Sequence, residues 1–142
     1  MESSIKLTPS LEDYLEAILQ LESKNRVARV KDIALELNVQ MPSVTGALKN
    51  LKSKGMIEYE KNSFINLTPQ GLKIAKRVFR KHKILVSFFK NILLLDEESA
   101  KETGCKIEHV IDIETAVKLG NLEKYLKPII DDTNNWDEII SD

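Results

Sequence analysis

Residues 30–53, VKDIALELNVQMPSVTGALKNLKS, contain two short helical patterns joined by a tight turn. Residues 30–37 form an amphipathic pattern, residues 38–41 turn the chain, and Pro42 opens a second helix over about residues 43–53. The apolar residues of that helix recur at the spacing of one buried face: Val44, Leu48 and Leu51. Two short helices joined in this way predict a helix-turn-helix.

The outward face of the second helix is short, polar and basic, which is typical of a helix that enters the DNA major groove. Gly46, at its centre, permits close approach of another surface. A solvated helix face is the alternative interpretation. The candidate DNA contacts on this face are Ser43, Thr45, Lys49 and Asn50.

A hairpin is predicted directly after this helix, where Gly55 ends it. Residues 56–60 and 64–68 have the pattern of two strands. A hairpin in this position is the wing of a winged helix, and Lys61 and Asn62 at its tip could contact phosphate or the minor groove. A plain hairpin that covers the core is compatible with the same pattern.

Helices are predicted on both sides of this module. Thr8 or Ser10 can cap a first helix that begins near Pro9, and an apolar-rich helix over about residues 69–91 is expected to link two halves of the protein. Further helices are expected at 96–102, at 105–111 after a break at Gly104, at 113–119 before Gly120, and at 121–127. The acidic tail after residue 131 is either a docked helix or a partly disordered end.

Composition limits the class of protein. With 142 residues, 42% of them hydrophobic and 30% charged, the chain can form one domain or two small domains that share a core. No apolar run approaches bilayer length, so we expect no membrane partner, and a single cysteine fits a reducing, cytoplasmic location. The net charge is −1, but a local basic surface is expected over residues 73–83, from Lys73, Lys76, Arg77, Arg80, Lys81 and Lys83.

Cys105, Glu108 and His109 stand at i, i+3 and i+4, which places them on one face of a predicted helix. A thiolate, a carboxylate and an imidazole together are a ligand set for a first-row transition metal. A solvated Glu-His pair beside a buried cysteine is the alternative interpretation. Asp13 and Glu16 on the first helix could join this set, or they could be acids that complement the helix dipole.

Five stretches, taken together, resemble a known family. They are TPSLEDYLE at 8–16, QMPSVT at 40–45, LTPQG at 67–71, RKH at 80–82 and CKIEHV at 105–110. In this order and spacing the chain resembles the metal-dependent repressors of the diphtheria toxin repressor family (DtxR), including its manganese transport regulator branch. The resemblance extends over nearly the whole chain up to Leu126.

The resemblance implies a mainly α fold. Residues 1–72 would form an N-terminal winged helix-turn-helix DNA-binding domain, and residues 73–142 an all-helical dimerisation and metal-binding domain without the SH3-like domain of some members. The protein would be a homodimer that binds a double-stranded DNA operator, and not an enzyme. The stretch at 40–45 adds Gln40 and Pro42 to the expected DNA contacts.

The family's metal ligands carry over onto Asp13, Glu16, His82, Glu108 and His109. Cys105 departs from the simplest manganese pattern, which has a bridging glutamate there, and is similar to the iron branch and to some manganese regulators. The expected co-repressor is Mn²⁺ or Fe²⁺, for which Zn²⁺, Co²⁺ or Ni²⁺ could substitute in vitro.

A metal ion bound by both halves would fix the angle between them and so orient paired recognition helices for DNA. Two other functions remain open from the sequence. One is a winged-helix regulator that is not controlled by metal, and the other is a metalloenzyme that uses the Cys/Glu/His cluster for hydrolysis, for which the sequence offers no partnered nucleophile.

Overall fold

A computed structural model of the chain describes residues 6–25, 27–60 and 63–142. Its elements are α1 (Pro9–Asn25), α2 (Val30–Leu37), α3 (Met41–Ser53), β1 (Ile57–Glu58), β2 (Asn66–Leu67), α4 (Pro69–Asn91), α5 (Glu97–Ile107), α6 (Ile113–Asp131) and α7 (Trp136–Ile140). The predicted mainly α fold is therefore confirmed. The chain divides into two compact units between Arg77 and Val78, inside α4. The predicted domain boundary at residues 72 and 73 stays a prediction.

The first unit contains the predicted helix-turn-helix. Thr8 caps α1, because its Oγ1 accepts a hydrogen bond from the Leu11 backbone N–H at 3.2 Å. Asn38 adopts a left-handed conformation (φ 53°) in the turn between α2 and α3, which asparagine tolerates better than most residues. The core of this unit packs α1, α2 and α3 together, with Leu15, Ile18, Ile33, Val44, Leu48 and Leu51 completely buried.

The hairpin is present but its strands are shorter than the sequence predicts. β1 and β2 pair antiparallel, with Ile57 opposite Leu67 and Glu58 opposite Asn66. Ile65, just before β2, donates its backbone N–H to the Ala28 carbonyl at 3.0 Å, so the chain before α2 also pairs with the hairpin. Lys61 and Asn62 lie outside the described residues.

The second unit has its own apolar core, and the tail belongs to it. Leu85, Phe88, Phe89 and Ile92 of α4 and the α4–α5 junction are buried there, together with Ala100 of α5. The Trp136 indole packs against this core and donates its Nε1–H to the Ile92 carbonyl at 2.7 Å. The tail therefore carries a docked helix, α7, which is one of the two alternatives left open by the sequence.

The predicted break at Gly104 is wrong. Helix α5 begins after Asp96, whose Oδ1 accepts a hydrogen bond from the Ser99 N–H at 2.7 Å, and it runs through Gly104 to Ile107. A Cβ at residue 104 would lie 3.1 Å from Val86 Cγ2, so Gly104 is a site of close helix packing and not a terminator. The predicted separate helix over residues 105–111 is also wrong, because residues 105–107 belong to α5 and residues 108–110 form a turn.

The predicted break at Gly120 is also wrong. Helix α6 is capped by Asp112, whose Oδ1 accepts a hydrogen bond from the Thr115 N–H at 2.7 Å. It then continues through Gly120 and Pro128 to Asp131. A Cβ at residue 120 would lie 3.4 Å from Ile84 Cγ2, so this glycine also marks close packing. Among the described residues, no helix has the length and apolar character needed to cross a membrane.

Candidate metal centre and nucleic-acid interface

In the second unit, α4 and the end of α5 bring three potential ligands together. The His82 Nδ1 lies 3.2 Å from Glu108 Oε2 and 3.8 Å from the Cys105 sulfur. One ligand atom from each of these residues lies within 4.8 Å of the other two. Two atoms that bind one ion at about 2.0–2.3 Å stand about 3–4 Å apart, so the spacing is compatible with a shared cation.

The ligand-bearing segment is a helix end and a turn, and not the single helix face that the sequence predicts. Cys105 is on α5, Glu108 is its C-cap, and His109 lies in the following turn. The His109 Nε2 is 3.7 Å from Glu108 Oε1, and the His109 side chain is nearly buried. The turn therefore keeps His109 beside Glu108 although the helix has ended.

Glu108 has the environment expected of a metal ligand. Its side chain is 1% exposed, and among the described residues its Oε2 accepts no hydrogen bond, although the His82 Nδ1 lies 3.2 Å away. A buried carboxylate oxygen without a donor is energetically costly. A divalent cation would remove that cost, so the residues present fit a bound metal.

Asp13 and Glu16 lie on α1 in the first unit. Neither is in the first turn, where the acidic residue is Glu12, so the helix-dipole interpretation does not account for them. Glu16 is 7% exposed, and its Oε1 accepts a hydrogen bond from the Gln20 side chain at 3.2 Å. A buried glutamate on α1 is a potential ligand in this unit.

Helix α3 presents most of the predicted DNA contacts to solvent. Its buried face is the predicted one, and the opposite side exposes Ser43, Lys49 and Asn50, with Gln40 and Pro42 exposed at its start. Thr45 is partly buried and donates its hydroxyl to the Met41 carbonyl at 3.1 Å. A Cβ at Gly46 would have open space around it, with no atom within 4 Å.

Two basic residues differ from the sequence-based expectation. The sequence predicts Lys81 on a basic surface, but its side chain is buried, and its Nζ donates to the Ile111 carbonyl at 2.9 Å. Arg29, which belongs to no motif in the sequence, places its guanidinium 5.1 Å from the centre of the exposed Phe64 ring beside the hairpin. A stacked arginine is a typical nucleic-acid-binding group, and no local pattern reveals a pairing between residues so distant in sequence.

Two family models match most of the chain. The model described as iron dependent repressor, N-terminal DNA binding domain, matches residues 6–64. The model described as iron dependent repressor, metal binding and dimerisation domain, matches residues 68–128. Both matches agree with the resemblance inferred from the sequence.

Known proteins with similar sequences are transcriptional regulators. The HTH-type regulator MntR of Bacillus subtilis is 37% identical over 120 residues, which are 84% of this chain and 84% of that protein. An uncharacterised HTH-type regulator of Methanocaldococcus jannaschii, MJ0568, is 37% identical over 114 residues, 80% of this chain and 91% of that protein.

Two solved structures share the fold. The manganese regulator SloR has a TM-score of 0.73 at 27% identity, over 84% of this chain and 55% of that chain. IdeR of T. acidophilum has a TM-score of 0.69 at 28% identity, over 88% of this chain and 55% of that chain. This chain thus spans about half the length of either solved protein. The chain belongs to the iron-dependent repressor family, whose members are metal-dependent transcriptional regulators and not enzymes.

Proposed function

We propose that this protein is a cytoplasmic repressor that binds a palindromic DNA operator as a homodimer when Mn²⁺ or Fe²⁺ is bound, and so controls genes of metal homeostasis. The observation that carries the proposal is the buried Glu108 carboxylate, close to His82 and Cys105, with an oxygen that accepts no hydrogen bond among the described residues. This site lies within the part of the chain that matches a metal-binding domain.

We propose His82, Cys105, Glu108 and His109 as ligands from the second unit, and Asp13 and Glu16 as ligands from the first. The first four are supported by their mutual distances. The contribution of Asp13 and Glu16 rests on the sequence resemblance. A bound divalent ion would supply positive charge that offsets the carboxylates and a link that orients the DNA-binding unit.

The ligand types limit the choice of metal. Carboxylates suit Mn²⁺ and Fe²⁺, while a thiolate and two imidazoles also suit Zn²⁺ and Co²⁺, and affinity alone rises along the series from Mn²⁺ to Cu²⁺. Affinity alone therefore cannot select Mn²⁺ or Fe²⁺. We infer that one of these two ions is the physiological signal and that its availability in the cell gives the selectivity. Zn²⁺, Co²⁺ and Ni²⁺ are expected to bind in vitro.

For DNA recognition, we propose that α3 enters the major groove. Its exposed polar and basic side chains would make the contacts, from Gln40, Pro42, Ser43, Thr45, Lys49 and Asn50. Lys61 and Asn62 are proposed to contact the backbone or the minor groove. In a dimer, two such helices about 34 Å apart would enter two successive major grooves on the same side of the DNA duplex.

For the homodimer, we propose an interface that includes one row of α6. Leu122, Tyr125 and Ile129 are spaced at i, i+3 and i+7, and they are 44%, 71% and 46% exposed. An exposed apolar row of this kind is typical of an interaction surface. It lies in, and just beyond, the segment that matches a dimerisation domain, which favours a second copy of this chain as its partner.

A DNA-binding experiment in which the protein itself selects its operator tests the proposal. Duplexes would first be selected from a random-sequence pool with the protein in Mn²⁺, and their affinities then measured by fluorescence anisotropy with Mn²⁺, Fe²⁺, Zn²⁺ or a chelator, at one salt concentration. We expect the protein to bind the duplex tightly only when a metal is present. We also expect Mn²⁺ or Fe²⁺ to promote this binding at the concentration that the ion has in the cell. Equal affinity in the chelator would support a regulator that is not controlled by metal.

A further inference from the structure

Lys81 is a buried lysine that the proposed function does not use. Its side chain is 7% exposed, and it is the residue directly before His82 on α4. Burying an ammonium group is costly unless it is paired, and here the Nζ donates to the Ile111 carbonyl at 2.9 Å. An exposed lysine, as most lysines in proteins are, would avoid that cost.

The acceptor of this bond belongs to the turn that carries two proposed ligands. Glu108 is the C-cap of α5, His109 follows it, and Ile111 closes the turn through its N–H, which donates to the Ile107 carbonyl at 3.0 Å. Asp112 then caps α6. Two adjacent residues of α4 thus contact this segment. His82 lies beside the Glu108 carboxylate, and Lys81 donates to the Ile111 carbonyl.

We propose that Lys81 is a positioning residue for the metal centre, an inference that rests on the metal site proposed above. By fixing the turn against α4, Lys81 holds Glu108 and His109 at the correct distance from His82 before the ion binds. Groups that orient metal ligands typically raise metal affinity by about 10- to 100-fold. Lys81 would do so although it does not contact the metal.

Because Lys81 is charged, a positioning role and a purely electrostatic role would have different effects on metal affinity. An ammonium group near a cation site repels the cation, so removal of the charge alone would tighten metal binding. Removal of a positioning residue would loosen it. The two effects therefore predict opposite changes in affinity for the same substitution.

The test is a Co²⁺ titration of the protein, monitored by near-ultraviolet and visible absorption, because a thiolate ligand gives a charge-transfer band in the near ultraviolet. Lys81→Met removes the donor and the charge but keeps the aliphatic stem. Lys83→Met is the matched control, because Lys83 is exposed, also adjacent to His82, and its Nζ lies 4.7 Å from the Phe79 ring centre. We expect Co²⁺ affinity to fall about tenfold or more in Lys81→Met, with a changed spectrum, and to stay within about twofold in Lys83→Met.

Circular dichroism of the metal-free variants shows whether they are folded. If Lys81→Met does not fold, Lys81→Gln is judged by the same criterion, since its amide keeps a polar group in the buried site but its nitrogen ends one bond short of the lysine Nζ, which lies 2.9 Å from the Ile111 carbonyl. Unchanged or tighter Co²⁺ binding by the folded variant overturns the role of Lys81. A wild-type protein that binds no Co²⁺ overturns the proposed metal site instead.

Discussion

At the scale of single residues, Glu108 is the most informative side chain of the protein. Its carboxylate is almost completely buried, near the His82 imidazole and the Cys105 thiol, and its Oε2 accepts no hydrogen bond among the described residues. Such a group destabilises a fold unless a cation or a donor compensates it. The sequence could place Glu108 in a ligand set, but it could not reveal the burial that distinguishes a ligand from a solvated acid.

Replacement of Glu108 by glutamine keeps the shape of the side chain and removes its charge. We expect Glu108→Gln to lower Mn²⁺ affinity by about tenfold or more, since loss of a ligand should cost at least as much as loss of an orienting group. The metal-free variant should be no less stable than wild type, because a neutral amide is cheaper to bury. Isothermal titration and thermal unfolding check the two expectations. Glu102→Gln, at an exposed site on α5, is the control, and equal losses in both variants would contradict the assignment.

At the scale of helices and strands, hydrophobic periodicity predicts α1 to α4 closely. Apolar residues such as Val44 and Leu48 repeat at the helical period, and Pro9, Pro42 and Pro69 mark three helix starts. The same approach fails at Gly104 and Gly120. A glycine that ends a helix and a glycine that lets two helices pack closely are identical in sequence, and only the positions of Val86 and Ile84 distinguish them.

Gly46 provides a test of α3 in which stability and function change in opposite directions. It lies in the middle of the helix, and an added methyl group meets no atom within 4 Å. Gly46→Ala should raise the free energy of unfolding by about 0.5–1 kcal/mol, because alanine favours the helix. It should also weaken DNA binding if this face approaches DNA. Asn121→Ala, at an exposed site on α6, is the control that gains helix propensity only; unchanged DNA affinity in Gly46→Ala would place Gly46 away from the DNA.

The cap of α6 predicts a pH dependence. Hydrogen bonds from Thr115 to the side chain of Asp112 are the main cause that lowers the pKa of this carboxyl below its ordinary value of 3.8. The ionised cap therefore stabilises the folded protein fully at a pH above 3.8, the ordinary pKa of the carboxyl group. This contribution is lost as the pH falls through the lowered pKa of the folded state. We expect Asp112→Asn, which does not titrate, to be less stable than wild type near neutral pH and to approach it in acid. Urea unfolding across this range checks the trend, and a difference independent of pH would contradict it.

At the scale of the whole molecule, dimerisation should depend on the α6 row. Tyr125→Glu places a charge at its most exposed position, and a charge buried in an apolar interface is costly. We expect the dimer dissociation constant to rise by about tenfold or more, as for a central aromatic residue of an interface. Sedimentation equilibrium measures it, with Lys124→Glu, an exposed α6 position outside the row, as the control. An unaffected dimer would exclude this row from the interface.

The central claim is that the metal centre around Glu108 controls DNA binding by the other unit. The most direct measurement is the ratio of duplex affinity in saturating Mn²⁺ to that in a chelator, for wild type and for Glu108→Gln at the same salt concentration. A coupling of about 1–3 kcal/mol per site, with two sites in a dimer, predicts a ratio of roughly 30 or more for wild type. We predict a ratio near one for Glu108→Gln, and a ratio that is equally large in both proteins would contradict the account.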